Sequence, residues 1–582
     1  MSGAQNAREQ PVRKGDAVRP SIIRRSAVLG VISLVGSLGL VALASPASAA
    51  QAGATVVHNP LLKEVLAEEH EPDELDPAVS ALCQSFLGHP NPYPNPAPNV
   101  DQIVGDTIVP VGSQQGCSAA QNETTIAVNP SNPNNIVAGA NDYRIFNARE
   151  NRNDSSSFAY TSFDGGQTWT NVVIPGLTHT SGGVGAFDWF DGSGDPVIAF
   201  GPNNTVYFGS LVFSRFTPLG GQMASGIVVN VSHDGGLHWG GPSVIAIDGV
   251  NSTGTPTVTH IFNDKPWMAA DPSSGTVYVT WTKYMYDNDD NYIESPIMVS
   301  ASHDFGAHFA APVRVAPSLN GFTGGITPYD QGSNPQVGND GKLYVAYEAS
   351  VCATAACNSA GDRDATIVAT STDHGNTFSQ AIVDTNYDFP GGLTGENFRL
   401  NSFPQMTYDR LNGKLTVVWS DDRNGQYDPT TGRSIKTNGD NIVSQSGNGK
   451  NWSRPVVIGT PQDEVFSAVA ARDGKVAVTS YTRHYDPNGI NLDYAYWAGS
   501  GAQSLTRAAT QRITTVSENP QVQFVAVNPD GSEVQGVFIG DYSAVAIGSD
   551  LRIHPCWTDF RGRPGTNTPN QDAYTQSIKL KS

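Results

Sequence analysis

The chain has 582 residues, among them 60 glycines and 38 prolines, and carries a formal charge of -20. So acidic a protein is disfavoured as a partner for nucleic acid or an anionic membrane, because neutralising phosphates takes an excess of Lys and Arg. The length admits several domains or one large repeat fold.

Residues 1–49 read as an export signal. Arg24 and Arg25 precede the apolar run AVLGVISLVGSLGLVALA (27–44), and the small-residue site Ala47-Ser48-Ala49 follows it. A secreted chain beginning near Ala50 is expected, by the secretory or the twin-arginine route. The apolar run is of near-spanning length, so a retained anchor is the competing reading, but the cleavage site favours no stable membrane association. In the extension over 50–100, apolar spacing broken by Pro72 and Pro77 predicts two short helices. HPNPYPNPAPN (89–99) then predicts a stiff linker.

From 101 the chain reads as strand. One turn pattern, Ser-x-Asp-x-Gly-x-x-Trp/Phe, recurs as SFDGGQTW (162–169), SHDGGLHW (232–239), SHDFGAHF (302–309) and STDHGNTF (371–378), with a worn copy in QSGNGKNW (445–452). Its third position falls at Asp164, Asp234, Asp304, Asp373 and Gly447, in steps of 70, 70, 69 and 74 residues. A fixed period of this length means a repeat architecture. The Asp and Ser side chains suit a tight turn by bonding nearby backbone N–H groups, Gly supplies positive φ, and the aromatic residue packs over the turn.

Alternating apolar runs flank each turn, and a further run lies about 25 residues upstream, as in TVYFGSL (205–211), TVYVTWT (276–282) and KLTVVWS (414–420). KVAVTSY (475–481) and LRIHPCW (551–557) continue the series without a good turn motif, which makes seven modules. The seventh lacks a fourth strand, and QIVGDTIVPV (102–111) resembles the missing piece. Units that bury their faces only against neighbours close into a ring, fastened by a strand from the other terminus. The expected fold is therefore all-β, a seven-bladed β-propeller over 101–582 with a short helical N-terminal extension; six blades is the alternative. Of the five cysteines, Cys352 and Cys357 share one short loop and are expected to pair. A Cys83–Cys117 pair would leave Cys556 free.

The turn motif resembles the Asp box, or BNR repeat, of the sialidase (neuraminidase) superfamily, and the resemblance covers nearly all of 101–582. It implies a propeller whose Asp boxes close the turns between third and fourth strands on one face, with the binding site on the other. It does not fix the reaction, since Asp-box propellers also include other glycosidases, sortilin-type receptors and assembly factors. Sialidases are usually six-bladed, a departure from the count made here.

Sialidases hold the sugar carboxylate with three arginines and use a Tyr nucleophile, a Glu helper and an Asp acid/base. Guanidinium suits a carboxylate because it binds through two parallel bonds. Arg144, Arg423 and Arg561 are the candidates, each following a second strand and each close behind an Asp. Tyr143-Arg144-Ile145-Phe146 is similar to the family's Phe-Arg-Ile-Pro segment without its Pro. The plain structural reading of these Asp-Arg pairs is a repeated, salt-bridged strand end. Links between blades supply Asp191 (in FDWFDGSGD) and Asp264 (in NDKPW) as general-acid candidates if burial raises the pKa, Tyr542 (in GDYSA) as the nucleophile and Glu396 (in GENFR) as its helper.

Asp287, Asp289 and Asp290 form an acidic run that suits a structural calcium ion, although it lacks the Gly and terminal Glu of an EF-hand; no cofactor is otherwise required. The function implied is a secreted exo-α-sialidase-like glycoside hydrolase, acting on a glycan or glycoconjugate as a monomer. The alternatives are a non-catalytic propeller binding glycans, cell wall or a protein, and a hydrolase working with two facing carboxylates.

Overall fold

The protein is described from a computed structural model. It covers residues 98–103, 110–111, 114–115, 120–150, 152–322, 324–359, 361–387, 389, 392–393, 398–428, 434–518, 524–527, 533–536, 538–561 and 571–580. The export signal, both predicted helices, Cys83, Cys117 and Glu396 lie outside the described residues. Among these residues no helix is long and apolar enough to cross a membrane.

Seven antiparallel sheets form seven blades. Their first strands are Gln121–Val128, Gly192–Phe200, Ile261–Ala270, Ile326–Val337, Gln405–Asp409, Glu464–Arg472 and Ala544–Ile547. Each packs on the first strand of the next blade, and the seventh packs on the first, so the ring closes. An apolar layer fills each seam: Phe208 and Val228 lie between blades 1 and 2, Ile367 and Val299 between 3 and 4, and Tyr160 and Ala573 between 7 and 1. This is the seven-bladed propeller that the strand count predicts.

The fastening strand sits slightly earlier than expected. Val100–Asp101 pairs with Tyr574 and Thr575 as the outer strand of blade 7, and Gln102 adds one bond to the carbonyl of Ala573. The Asp101 carboxylate then accepts from the Ile103 N–H at 2.8 Å and turns the chain. Pro110–Val111, from the predicted segment, pairs instead with Gln114–Gln115 in a separate hairpin.

The repeated turn works as its composition suggests. Asp164 Oδ1 accepts from the Ser162 hydroxyl and from the N–H groups of Gln167 and Thr168, each at 2.9 Å, and the Trp169 indole donates to Gly166 at 3.2 Å. The worn copy is one residue shorter than its alignment at Gly447 supposes: Asn448 takes the carboxylate's part, accepting from the Lys450 and Asn451 N–H groups at 2.9 Å. The box also seats its blade on the preceding one. At Gly236, where φ is +105°, a Cβ would stand 2.7 Å from Val137 of blade 1, a position closed to any larger residue.

The Cys352–Cys357 disulfide is present, and Cys556 is free and buried. Its neighbour His554 lies at the seam that closes the ring, 1% exposed, with neither ring nitrogen hydrogen-bonded. Burial pushes its pKa down to about 4. Because the folded pKa is depressed, the unfolded chain binds the extra proton, and stability falls as pH drops from about 6.5 toward 4, by about 3 kcal/mol in full. Urea unfolding at pH 7 and pH 4.5 should therefore show a smaller acid loss for His554→Leu than for the wild type; equal losses would remove this histidine from the account.

Candidate functional site

Five of the seven first strands share one irregularity that positions a site. Their pairing with the second strand breaks between Asn122 and Thr125, Gly194 and Val197, Asp264 and Trp267, Gln331 and Asn334, and Val465 and Ala468. At each break one residue takes positive φ: Glu123 (54°), Asp195 (49°), Lys265 (48°), Gly332 (61°) and Phe466 (55°). A bulge of this kind re-aims a side chain. On the innermost strands of a ring it brings chemically different residues from successive blades together at the axis. Blade 7 contributes Asp541 and Tyr542, and Gly540 (φ 92°) passes so close that a Cβ there would stand 2.7 Å from the Glu123 nitrogen.

Asp541 is the hub of the charges. Arg399 grips its carboxylate with Nε at 2.7 Å and Nη2 at 2.5 Å, and Lys265 Nζ reaches it at 2.5 Å. The Asn401 amide donates to its carbonyl at 3.0 Å, and its own N–H donates to Glu123 Oε1 at 3.2 Å. Although burial opposes its charge, Arg399 and Lys265 hold Asp541 well below the ordinary carboxylate range.

The other three carboxyl groups behave oppositely. Burial and then the Asp541 charge raise Glu123, and burial and then Glu123 raise Asp195 well above the usual value. Burial lifts Asp264 to about 7, with Lys265 opposing and Asp195 adding. The axis thus holds one fixed carboxylate beside carboxyls whose proton affinity is raised, that of Asp264 to about 7. That separation of proton affinities is what acid/base chemistry requires.

Tyr542 completes the site. Its ring packs edge-on to Trp267 at 5.2 Å, and its buried hydroxyl has no hydrogen-bond partner among the described residues. Burial, followed by Glu123, Asp195, Asp541 and Asp264, pushes its pKa well above the usual phenol value. The cavity beside it is lined by Trp267, Phe403, Phe466, Asn334, Asn401 and Lys265, an apolar wall with a few convergent polar groups.

The structure therefore brings Asp264 and Tyr542 together. Asp191 belongs to a different neighbourhood: its carboxylate accepts from the Arg215 N–H at 2.8 Å and faces Arg149 and His179 at 3.9 Å.

The three arginines expected to form one clamp are three separate ion pairs, each within its own blade. Arg144 binds Asp142, Arg423 binds Asp421 and Arg561 binds Asp559, at 2.6, 2.6 and 2.5 Å. The same carboxylates accept from Tyr160, Trp419 and Trp557 of their own sheets. Repetition of the blade repeats this staple, and Asp384 takes a further bond from Arg423. Arg215 pairs across the seam with Asp154 of blade 1, and Arg483 pairs with Asp463.

In the acidic run, Asp287 Oδ1 accepts from the Asp289 and Asn291 N–H groups at 2.8 and 2.9 Å, and Asp290 faces His260 at 3.3 Å. The turn is closed by Asp287 itself.

Glu123, Asp195, Lys265 and Arg399 are the axial residues that the sequence reading does not assign. A signal exists for three of them: Glu123, Asp195 and Lys265 stand 72 and 70 residues apart, in phase with the Asp boxes.

No protein-family model matches the chain, and no curated protein is similar to it in sequence. Among solved structures, it is similar to a protein of unknown function from Dyadobacter fermentans, at 13% identity and a TM-score of 0.40, covering 80% of this chain and 96% of that one. It is also similar to Hadza microbial sialidase Hz136, at 12% identity and 0.40, covering 77% and 73%, and to a polysaccharide lyase described as a PL25 ulvan lyase, at 10% identity and 0.42, covering 79% and 95%. None of these likenesses bears on the reaction. What fold and site define by themselves is a seven-bladed β-propeller with a buried carboxyl cluster and a tyrosine at its axis.

Proposed function

We propose that this protein is a carbohydrate-active propeller of glycosidase type, releasing an acidic sugar from a glycan outside the cytoplasm. The observation that carries the reading is the axial grouping of a buried Asp264 that holds its proton near neutral pH with Tyr542, which lines the adjoining cavity and whose hydroxyl is unpartnered among the described residues. In this reading Tyr542 attacks the anomeric carbon and gives its proton to Glu123, while Asp264 protonates the departing glycosidic oxygen. Arg399, bound to Asp541 through Nε and Nη2 but with its side chain 24% exposed, is the axial cation that this reading assigns to the sugar carboxylate. The Asp-box pattern and the leader-like N-terminus support the same reading.

Purified protein is expected to release fluorophore from a sialoside, or from one of a set of uronic-acid glycosides, with a rate that falls above about pH 7 as Asp264 loses its proton. Absence of turnover across the whole set would sink it. The second reading, a glycan-binding propeller without catalysis, is favoured by one observation: Arg144, Arg423 and Arg561 are each already neutralised by a carboxylate of their own blade. Saturable binding of the same glycans without turnover would select it.

A further inference from the structure

We infer that Asp195 is a positioning residue that joins Glu123 and Asp264 into one linear chain of shared protons across three consecutive blades. The inference rests on the axial reading above for its catalytic meaning and on geometry for its existence. The chain is built by the bulges, which give Glu123 and Asp195 positive φ at equivalent points of blades 1 and 2 and put Lys265 there in blade 3.

Asn141 bridges the first two members: its amide donates to Glu123 Oε2 at 2.8 Å and its carbonyl oxygen accepts from the Asp195 N–H at 2.8 Å. One N–H, that of Lys265, lies 3.2 Å from Asp195 Oδ2 and 2.8 Å from Asp264 Oδ1, so these two carboxyls meet at a single donor. The Asp195 carboxyl lies between those of Glu123 and Asp264 and interacts with both. All three residues are at least nine-tenths buried. Carboxyl groups in mutual contact cannot all ionise in such surroundings, and sharing protons resolves the conflict.

The arrangement is a chain rather than a cage for a cation. Among the described residues, the group of three possible ligands within 4.8 Å of one another is Cys352, Cys357 and Asp362, of which the cysteines are disulfide-bonded. The charged and titratable groups that face the chain are Lys265 of blade 3, Arg399, and Asp541 and Tyr542 of blade 7.

The chain gives the proposed reaction a closed proton circuit. When Tyr542 forms its bond to the anomeric carbon, Glu123 gains the phenolic proton and Asp264 loses one to the leaving oxygen. A proton passing from Glu123 to Asp195, while that of Asp195 passes to Asp264, restores both end groups without exchange with solvent.

The test is an infrared titration of the protonated-carboxyl band in purified wild type, Asp195→Asn and Glu123→Gln, which requires no turnover. Asp195 raises Asp264 both by its charge and by its hydrogen bond, so Asp195→Asn is expected to move the wild-type midpoint near neutrality downward by about one pH unit or more. Glu123→Gln should move it in the same direction by less, because Glu123 reaches Asp264 only through Asp195. Midpoints unchanged in both folded variants would overturn the chain; if Asp195→Asn fails to fold, an unchanged midpoint in Glu123→Gln does so alone. A protein that shows the shift but turns over no glycoside retains the chain and loses the glycosidase reading. In an active protein, the alkaline limb of the kcat/KM profile should move with the infrared midpoint, which a purely structural role would not produce.

Discussion

Asp541→Ala is expected to destabilise the protein by about 3–5 kcal/mol, read as a fall in the urea midpoint with an unchanged slope. The size follows from what is left behind rather than from what is removed. Asp541 is 1% exposed and answers two cations at once, and Lys265 is itself only 6% exposed. Taking away the carboxylate leaves a deeply buried lysine ammonium with Asp264, 3.9 Å away, as the carboxyl still beside it, and burial favours release of the lysine proton. The variant's lysine pKa then lies below the unfolded value, so the unfolded chain binds more protons and the variant regains stability as pH rises. A loss under about 1 kcal/mol would mean that water reaches the axis freely and that the contact behaves like a surface ion pair. Asp541→Asn should cost less than Asp541→Ala, since it keeps the shape and can still accept from Arg399.

The architecture was legible because the forces that set it are periodic. Asp164, Asp234, Asp304 and Asp373 do the same work in each blade, so their spacing measures the blade, and the strands of modules six and seven could be counted where the motif fails. The worn copy misled by one residue because Gly447 occupies the numerical position while Asn448 supplies the acceptor. The Asp-Arg pairs were equally visible, and repetition is the reason they do not mark a single site: Arg144, Arg423 and Arg561 recur because the blade end recurs.

The axial site was legible only in part, for the opposite reason. Glu123, Asp195 and Lys265 occupy one structural position but differ in chemistry, so comparing residue types across repeats does not reveal them. What they share is a backbone conformation, and no residue type announces positive φ at Glu, Asp or Lys. Segments that did stand out carried the right residues beside the assigned ones: FDWFDGSGD contains Asp195 as well as Asp191, and NDKPW contains Lys265 as well as Asp264. In the first segment the bulge turns Asp195 rather than Asp191 to the axis; in the second, Asp264 and Lys265 both reach it.

Tyr542→Phe separates catalysis from folding more cleanly than any other substitution at this axis. Among the described residues the hydroxyl has no hydrogen-bond partner, so deleting it strands no donor or acceptor of theirs, and the edge-on packing against Trp267 at 5.2 Å depends on the ring alone. Stability should therefore stay within about 0.5 kcal/mol of the wild type or rise slightly, since a buried and unsatisfied polar group is removed. Activity should respond very differently. If the phenolic oxygen forms the bond to the sugar, its loss removes the nucleophile, and kcat is expected to fall by about 10³-fold or more with KM little changed. A variant that keeps activity within about threefold would exclude Tyr542 as nucleophile and shift attention to direct attack by water under Glu123 or Asp264. A variant that instead loses stability would show that the hydroxyl is bonded in solution, and would weaken the case for a group held ready for substrate.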